Sequence, residues 1–197
     1  MQIKAIFVDI GGVLIINDAS KIKDEYESKY GLSKSTVGEI FQYLQTTTRS
    51  NEEINMILAE KNITRELWDQ YCNSLFNSER KNQNLYEILQ QAKQAGKLVV
   101  YTTNNSETLG ILIEKFNIAE LADLIINSTK FGVIKPSNEF WDISLSETQK
   151  IKPDLKASEV LVIDDSEINY SSALKNGLNA VLYNGSHSDI EINKMLN

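Results

Sequence analysis

One cysteine, one histidine and two prolines are all that the 197 residues contain of those types. Cys72 alone cannot form an intramolecular disulfide, which excludes a disulfide-framed scaffold and fits a cytoplasmic protein. With proline only at Pro136 and Pro153, no Pro-rich linker divides the chain, and neither an internal repeat nor a low-complexity tract is visible. Long hydrophobic runs are missing too. The longest are strand-sized, too short for a bilayer, and "AIFV" is broken by Asp9 before it could read as a secretory signal. Basic charge is also short: 20 Lys and Arg stand against 27 Asp and Glu, a net of -7. A nucleic-acid partner would favour the opposite balance, and an anionic ligand here needs a local cation or a metal.

What is present is a globular composition, 42% hydrophobic and 24% charged, with enough length for a core domain plus an insert. Five short apolar runs, "IKAIFV", "KLVVYT", "ADLII", "EVLVI" and "NAVLY", alternate little. That is the pattern of parallel strands covered on both faces. Leu109, Leu112, Ile113 and Phe116 repeat at helical spacing between the second and third runs. Gly96 and Gly177 stand where a left-handed helix cap is wanted. The expected fold is therefore α/β, a Rossmann-like parallel sheet with helices on both faces and right-handed crossovers.

Residues 16–81 read differently. Strand signals vanish and four helical patterns follow one another, carried by Ile22, Tyr26 and Tyr30, by Val37, Ile40, Phe41 and Leu44, by Ile54, Ile57 and Leu58, and by Leu67, Trp68, Tyr71, Cys72 and Leu75. Ser50 with Glu53 forms a capping-box signature for the third. We expect a core domain of residues 1–15 and 82–197 and a helical cap domain of residues 16–81, lying over the sheet like a lid.

Polar residues collect just beyond the carboxyl ends of the expected strands: Asp9 after the first, Thr103 and Asn104 after the second, Asp164 and Asp165 after the fourth, with Lys135 in the loop after the third. Ligands of open α/β sheets bind in the crevice outside those ends. A carboxylate such as Asp9 can attack phosphorus and form an aspartyl-phosphate, provided its repulsion of the dianion is cancelled. Asp164 and Asp165 offer the hard oxygens that Mg²⁺ prefers, and Lys135 a point charge. Thr103 adds a hydroxyl and helix-start amides can hold phosphoryl oxygens. Together these are the parts of a phosphoryl-transfer site.

"FVDIGGVL", "VVYTTNN", "GVIKPSNEFW" and "VLVIDDSEINY", in that order, resemble the four motifs of the haloacid dehalogenase-like hydrolase superfamily, in its branch with a helical cap. The resemblance implies Asp9 as nucleophile, Thr103 as phosphate-binding hydroxyl, and Lys135 as the lysine that steadies both. It implies Asp165, with Asp164, as Mg²⁺-binding acids beside Asp9 and the Gly11 backbone carbonyl, and Asn104 as a phosphate-binding position. It further implies a Mg²⁺-dependent phosphate monoesterase acting on a small phosphorylated metabolite, a sugar phosphate among the candidates. Expected partners are that small molecule alone, with neither nucleic acid nor membrane, in a monomer or homodimer. Most phosphatases of the family carry a second aspartate two residues after the nucleophile; here that place is Gly11. The alternatives are a binding or regulatory protein of the same fold and, ranked lower because the paired acids are present, a 2-haloacid dehalogenase.

Several of these residues also have plainer readings. Thr102 leaves the Thr103 register open by one, and Asp164 could be a helix cap rather than a direct ligand, with Ser166 an equal candidate for the cap. Asn104 and Asn105 read as turn and cap residues, and Asn169 either braces the acidic loop or is an ordinary first-turn residue. Asp18 is a candidate for the acid missing at Gly11, His187 reads as part of a solvated turn, and Trp68, Trp141 and Cys72 read as packing residues.

Overall fold

The computed structural model describes residues 2–106 and 108–197. Strand β1 (Ala5–Val8) leads into a two-residue strand β2 (Ile15–Ile16), four helices, α1 (Ala19–Tyr30), α2 (Lys34–Thr46), α3 (Asn51–Glu60) and α4 (Arg65–Ser78), and a second short strand β3 (Arg80–Lys81). Helix and strand then alternate: α5 (Gln83–Gln94), β4 (Leu98–Thr103), α6 (Leu109–Phe116), β5 (Leu124–Asn127), the single turn α7 (Ser128–Phe131), α8 (Asn138–Gln149), β6 (Val160–Asp164), α9 (Glu167–Lys175), β7 (Asn179–Leu182) and α10 (Ser186–Leu196). No helix among the described residues is long and apolar enough to cross a membrane.

The five longer strands form one parallel sheet in the order β5-β4-β1-β6-β7. The unbroken apolar runs are explained by burial on both faces. Ile6, Val8, Val99, Tyr101, Leu161 and Ile163 point to one side, where Leu85 and Leu89 of α5 and Ile192 of α10 cover them. Ala5, Phe7, Val100, Val160 and Val162 point to the other, against Phe140 and Trp141 of α8 and Ala173 of α9. Each large side chain so enclosed stabilises the fold by about 1.5–3 kcal/mol before the entropy of ordering it is charged. Gly96 and Gly177 both adopt positive φ, 84° and 76°, as their places after helices require.

Helices α1 to α4 have a hydrophobic core of their own, in which Tyr26 meets Tyr71 edge-on at 5.2 Å and Phe41 lies 5.2 Å from Trp68. Their starts are written in the sequence: Ser33 and Thr64 accept from the backbone three residues on, and Ser50 with Glu53 makes the full reciprocal box. The chain enters and leaves this bundle through an antiparallel ribbon, Ile15 paired with Lys81 and Ile16 with Arg80. Two-residue strands carry too little pattern to be read from sequence. His187 is exposed as expected, but it lies in the first turn of α10 rather than in a free turn.

Candidate active site

Register brings the site together. Val8 of β1 pairs with Tyr101 of β4 and Ile163 of β6, so the next residues, Asp9, Thr102 and Asp164, emerge side by side at the carboxyl edge of three adjacent strands. The Asp9 amide extends the ladder by one bond, donating to the Ile163 carbonyl at 2.9 Å.

Lys135 is the hub. Its side chain is about 1% exposed, and Nζ lies 3.0 Å from Asp9 Oδ2, 2.7 Å from Asp164 Oδ2 and 2.9 Å from the Thr102 carbonyl. All three ammonium hydrogens thus have acceptors, which makes burying the charge tolerable. The loop carrying Lys135 is fixed by Asn104, whose Oδ1 accepts from the Lys135 amide at 2.9 Å and whose Nδ2 donates to the Lys135 carbonyl at 3.0 Å.

The two neighbouring acids differ in their surroundings. Asp164 is buried, with Oδ2 on Lys135 and Oδ1 accepting from the Ser166 amide at 2.9 Å and Asn169 Nδ2 at 3.0 Å. Asn169 therefore braces this loop, and the Ser166 side chain makes no cap bond. Asp165 is solvent-accessible and faces the Gly12 turn, where φ is +79° and an added Cβ would stand 2.1 Å from its Oδ2. Asp9, Asp164 and Asp165 each offer a carboxylate oxygen within 4.8 Å of the others. Such an all-oxygen set suits a hard divalent cation.

Burial pushes the Asp9 carboxyl up to about 7, Asp164 and Asp165 adding to the rise and Lys135 opposing it. Burial works to lower Lys135, but the Asp9 and Asp164 carboxylates outweigh it and its pKa is raised. Partial desolvation in the cleft raises Asp165 as well, with the charge of Asp164 beside it.

These groups open onto a cleft of about 420 Å³ whose walls include Asp9, Gly11, Thr103, Asn104, Lys135 and Asp165. Thr103 lines it, whereas Thr102 does not and has a buried hydroxyl without a hydrogen-bond partner among the described residues. The structure thus brings together the sequence-predicted nucleophile, lysine, threonine and acids. Asn104 also reaches the wall, with its side-chain amide engaged on Lys135. Asp18 is placed elsewhere: its carboxylate meets Arg80 at 3.1 Å on the exposed side of the ribbon, so it does not supply the missing acid. From the cap, Lys23, Gln45 and Tyr71 also line the cleft, none of which the sequence singled out for this role, because helical spacing explains the apolar ones as core and leaves the polar ones featureless.

The family model for haloacid dehalogenase-like hydrolases matches residues 14–183. The chain belongs to that family. Asp9 lies just outside the matched span of this haloacid dehalogenase-like hydrolase, so its place in the site rests on the geometry above. Among solved structures, the chain is similar to a predicted HAD-like family hydrolase from Porphyromonas gingivalis, at 17% identity and a TM-score of 0.78 over 100% of this chain and 99% of the other. It is also similar to a HAD family enzyme from Bacteroides thetaiotaomicron, solved as an aspartate-to-alanine mutant with magnesium and inorganic phosphate (19% identity, TM-score 0.72, 94% and 98% covered). The L-2-haloacid dehalogenase from Xanthobacter autotrophicus with chloropropionic acid covalently bound is a third (16%, 0.60, 95% and 80%). At these identities the likeness speaks for the fold. No curated protein matches the sequence.

Proposed function

We propose that this haloacid dehalogenase-like hydrolase is a Mg²⁺-dependent phosphate monoesterase that works through an aspartyl-phosphate on Asp9. The observation that carries the reading is the meeting of Asp9 with both Lys135 and the acidic pair: a nucleophile, a fixed cation and a cation-binding oxygen set in one cleft with the Thr103 hydroxyl. In the B. thetaiotaomicron enzyme, magnesium and phosphate were bound together, which supports it.

Asp9, Asp165 and the Gly11 backbone carbonyl would hold the Mg²⁺, with Asp164 beside them holding Lys135. Bound there, the cation supplies charge neutralisation to the phosphoryl group and favours the ionised form of Asp9. The Thr103 hydroxyl receives a phosphoryl oxygen, and the charge of Lys135, held against Asp9 and Asp164, offsets that of the phosphoryl group, with Asn104 fixing the Lys135 loop. An Asp9 oxygen attacks phosphorus, the ester P–O bond breaks, and the leaving oxygen departs with its electron pair. Water then attacks the acyl phosphate, releasing inorganic phosphate and restoring the carboxylate. The helical cap limits bulk water in the cleft and selects the substrate.

Gly11 is the observation that favours a second reading, a protein that binds a divalent cation and a phosphorylated ligand without turning it over. A phosphate-release screen separates the two. Release that depends on added Mg²⁺ and is abolished by chelation supports the esterase; Mg²⁺ binding with no release from any ester supports the binding protein. Chloride release from a 2-haloacid without added metal would replace both readings with dehalogenation.

A further inference from the structure

Among the described residues, three acids line the catalytic cleft: Asp9, Asp165 and Glu79. The first is the nucleophile of the reading above and the second belongs to the cation-binding set, so Glu79 is the one left without a role. It is positioned by the ribbon that ties the cap to the sheet domain. Ile15 pairs with Lys81 and Ile16 with Arg80, so the next residues, Asn17 and Glu79, leave the ladder across from one another, and both line the cleft. The same ribbon holds the loop after Asp9, where Gly11 is bridged to Ile15 and the Gly12 amide donates to the Ile15 carbonyl at 2.8 Å. Glu79 and the side-chain-free position 11 are thus fixed to one frame.

The surroundings of Glu79 suit a proton donor. Its side chain is 11% exposed, and Oε2 is buried without a hydrogen-bond partner among the described residues. Lys115 of α6 faces it, with Nζ 3.5 Å from Oε2 and already donating to the Phe76 carbonyl. Arg49 and Arg65 stand on the wall of an adjoining cavity that Glu79 also borders, but they pair with Glu53 at 3.4 Å and with Asp69 at 2.9 Å. Burial raises the Glu79 carboxyl above the ordinary glutamate range, with Lys115 opposing the rise. A carboxyl so perturbed can give up a proton near neutrality. Tyr71 is the other group on the cleft wall with an unpartnered buried oxygen, but burial drives its hydroxyl upward and it holds its proton too tightly to be a source.

Resting on the phosphatase reading, we propose that Glu79 is the general acid and base of this site, acting from the hinge of the cap in place of the side chain absent at position 11. Asp9 bonds to phosphorus, the ester P–O bond breaks, and the leaving oxygen takes the electron pair together with the Glu79 proton. The Glu79 carboxylate then accepts a proton from the water that attacks the acyl phosphate, so that both acids return to their starting states as inorganic phosphate leaves. Because Lys115 favours the ionised form, only part of the population carries the proton at neutral pH, and a second acid at position 11 still adds to the turnover of alkyl esters.

The test compares kcat/KM with Mg²⁺ for glycerol 3-phosphate, whose alkoxide needs a proton, and 4-nitrophenyl phosphate, whose leaving group departs readily as its anion. Glu79→Gln should lower the first by about 100-fold or more and the second far less. In the native protein the alkyl-to-aryl ratio should fall as pH rises, since only protonated Glu79 serves the alkyl ester; the ratio cancels titrations common to both, that of Asp9 included. Glu79→Gln should make the ratio flat, and Lys115→Met, which removes the opposing charge, should move the fall to higher pH. A side chain that merely held the hinge in place would give neither change. Gly11→Asp should restore alkyl turnover in Glu79→Gln. Equal losses for the two esters in Glu79→Gln, a ratio that does not vary with pH in the native protein, or native turnover of the nitrophenyl ester alone would overturn the assignment of Glu79 and leave the phosphatase reading standing. No phosphate release from either ester would overturn both.

Discussion

Gly12 and Asp165 fit together so closely that a Cβ added to the glycine would lie 2.1 Å from the carboxylate Oδ2. The glycine is required twice over, by this approach and by its φ of +79°. Gly12→Ala should therefore push Asp165 out of the acidic cluster. A loss of Mg²⁺ affinity of about 10-fold or more is expected by calorimetry, together with a destabilisation of about 1–2 kcal/mol from the left-handed backbone.

The neighbouring Gly11 has the opposite surroundings. An added Cβ meets nothing within 4 Å, and its φ is not in the left-handed region. Gly11→Asp should fold normally and place a carboxyl where relatives with the second aspartate have one. Turnover of alkyl phosphates should rise by about 10-fold or more, and that of aryl phosphates much less, in keeping with the value of general acid catalysis. Steady-state kinetics on matched esters measures the difference.

Lys135 is buried with both carboxylates, so removing it leaves two uncompensated acids. Lys135→Met should destabilise the metal-free protein by about 3–5 kcal/mol in urea unfolding. Asn169→Ala, which removes one of three donors to Asp164, should cost about 1–2 kcal/mol.

The metal-free protein should also lose stability as pH rises. Asp9 ionises near 3.8 in an ordinary setting but keeps its proton up to about 7 when folded. Its proton-linked stability is fully present below 3.8 and is lost as pH rises through about 7. The slope is at most about 1.4 kcal/mol per pH unit for this one group. Asp9→Asn should flatten the decline, as followed by denaturation in chelator between pH 4 and 8.

The elements that sequence revealed are those with strong local causes. Burial on both faces made β1, β4, β5, β6 and β7 visible as unbroken apolar runs, and helical spacing with the Ser50 and Glu53 box made the cap visible. Asp9, Thr103, Lys135 and the acidic pair were legible because strand ends in such a sheet converge. Contacts between distant residues were not legible. Asn104 holds the Lys135 backbone from 31 positions away, and only the folded register makes them neighbours. Asp18 was misread for the same reason, since nearness in sequence to the nucleophile did not say that its carboxylate would face Arg80. A cavity of about 490 Å³ bordered by α2, α4 and α6 was not legible either, because their apolar faces read singly as packing surface.

The central claim is that Asp9 attacks phosphorus. It is tested most directly by phosphate release from 4-nitrophenyl phosphate with Mg²⁺, comparing the native protein with Asp9→Asn at equal concentration and verified folding. A fall of about 1,000-fold or more in the variant is the predicted result, and release at the native rate would contradict the account.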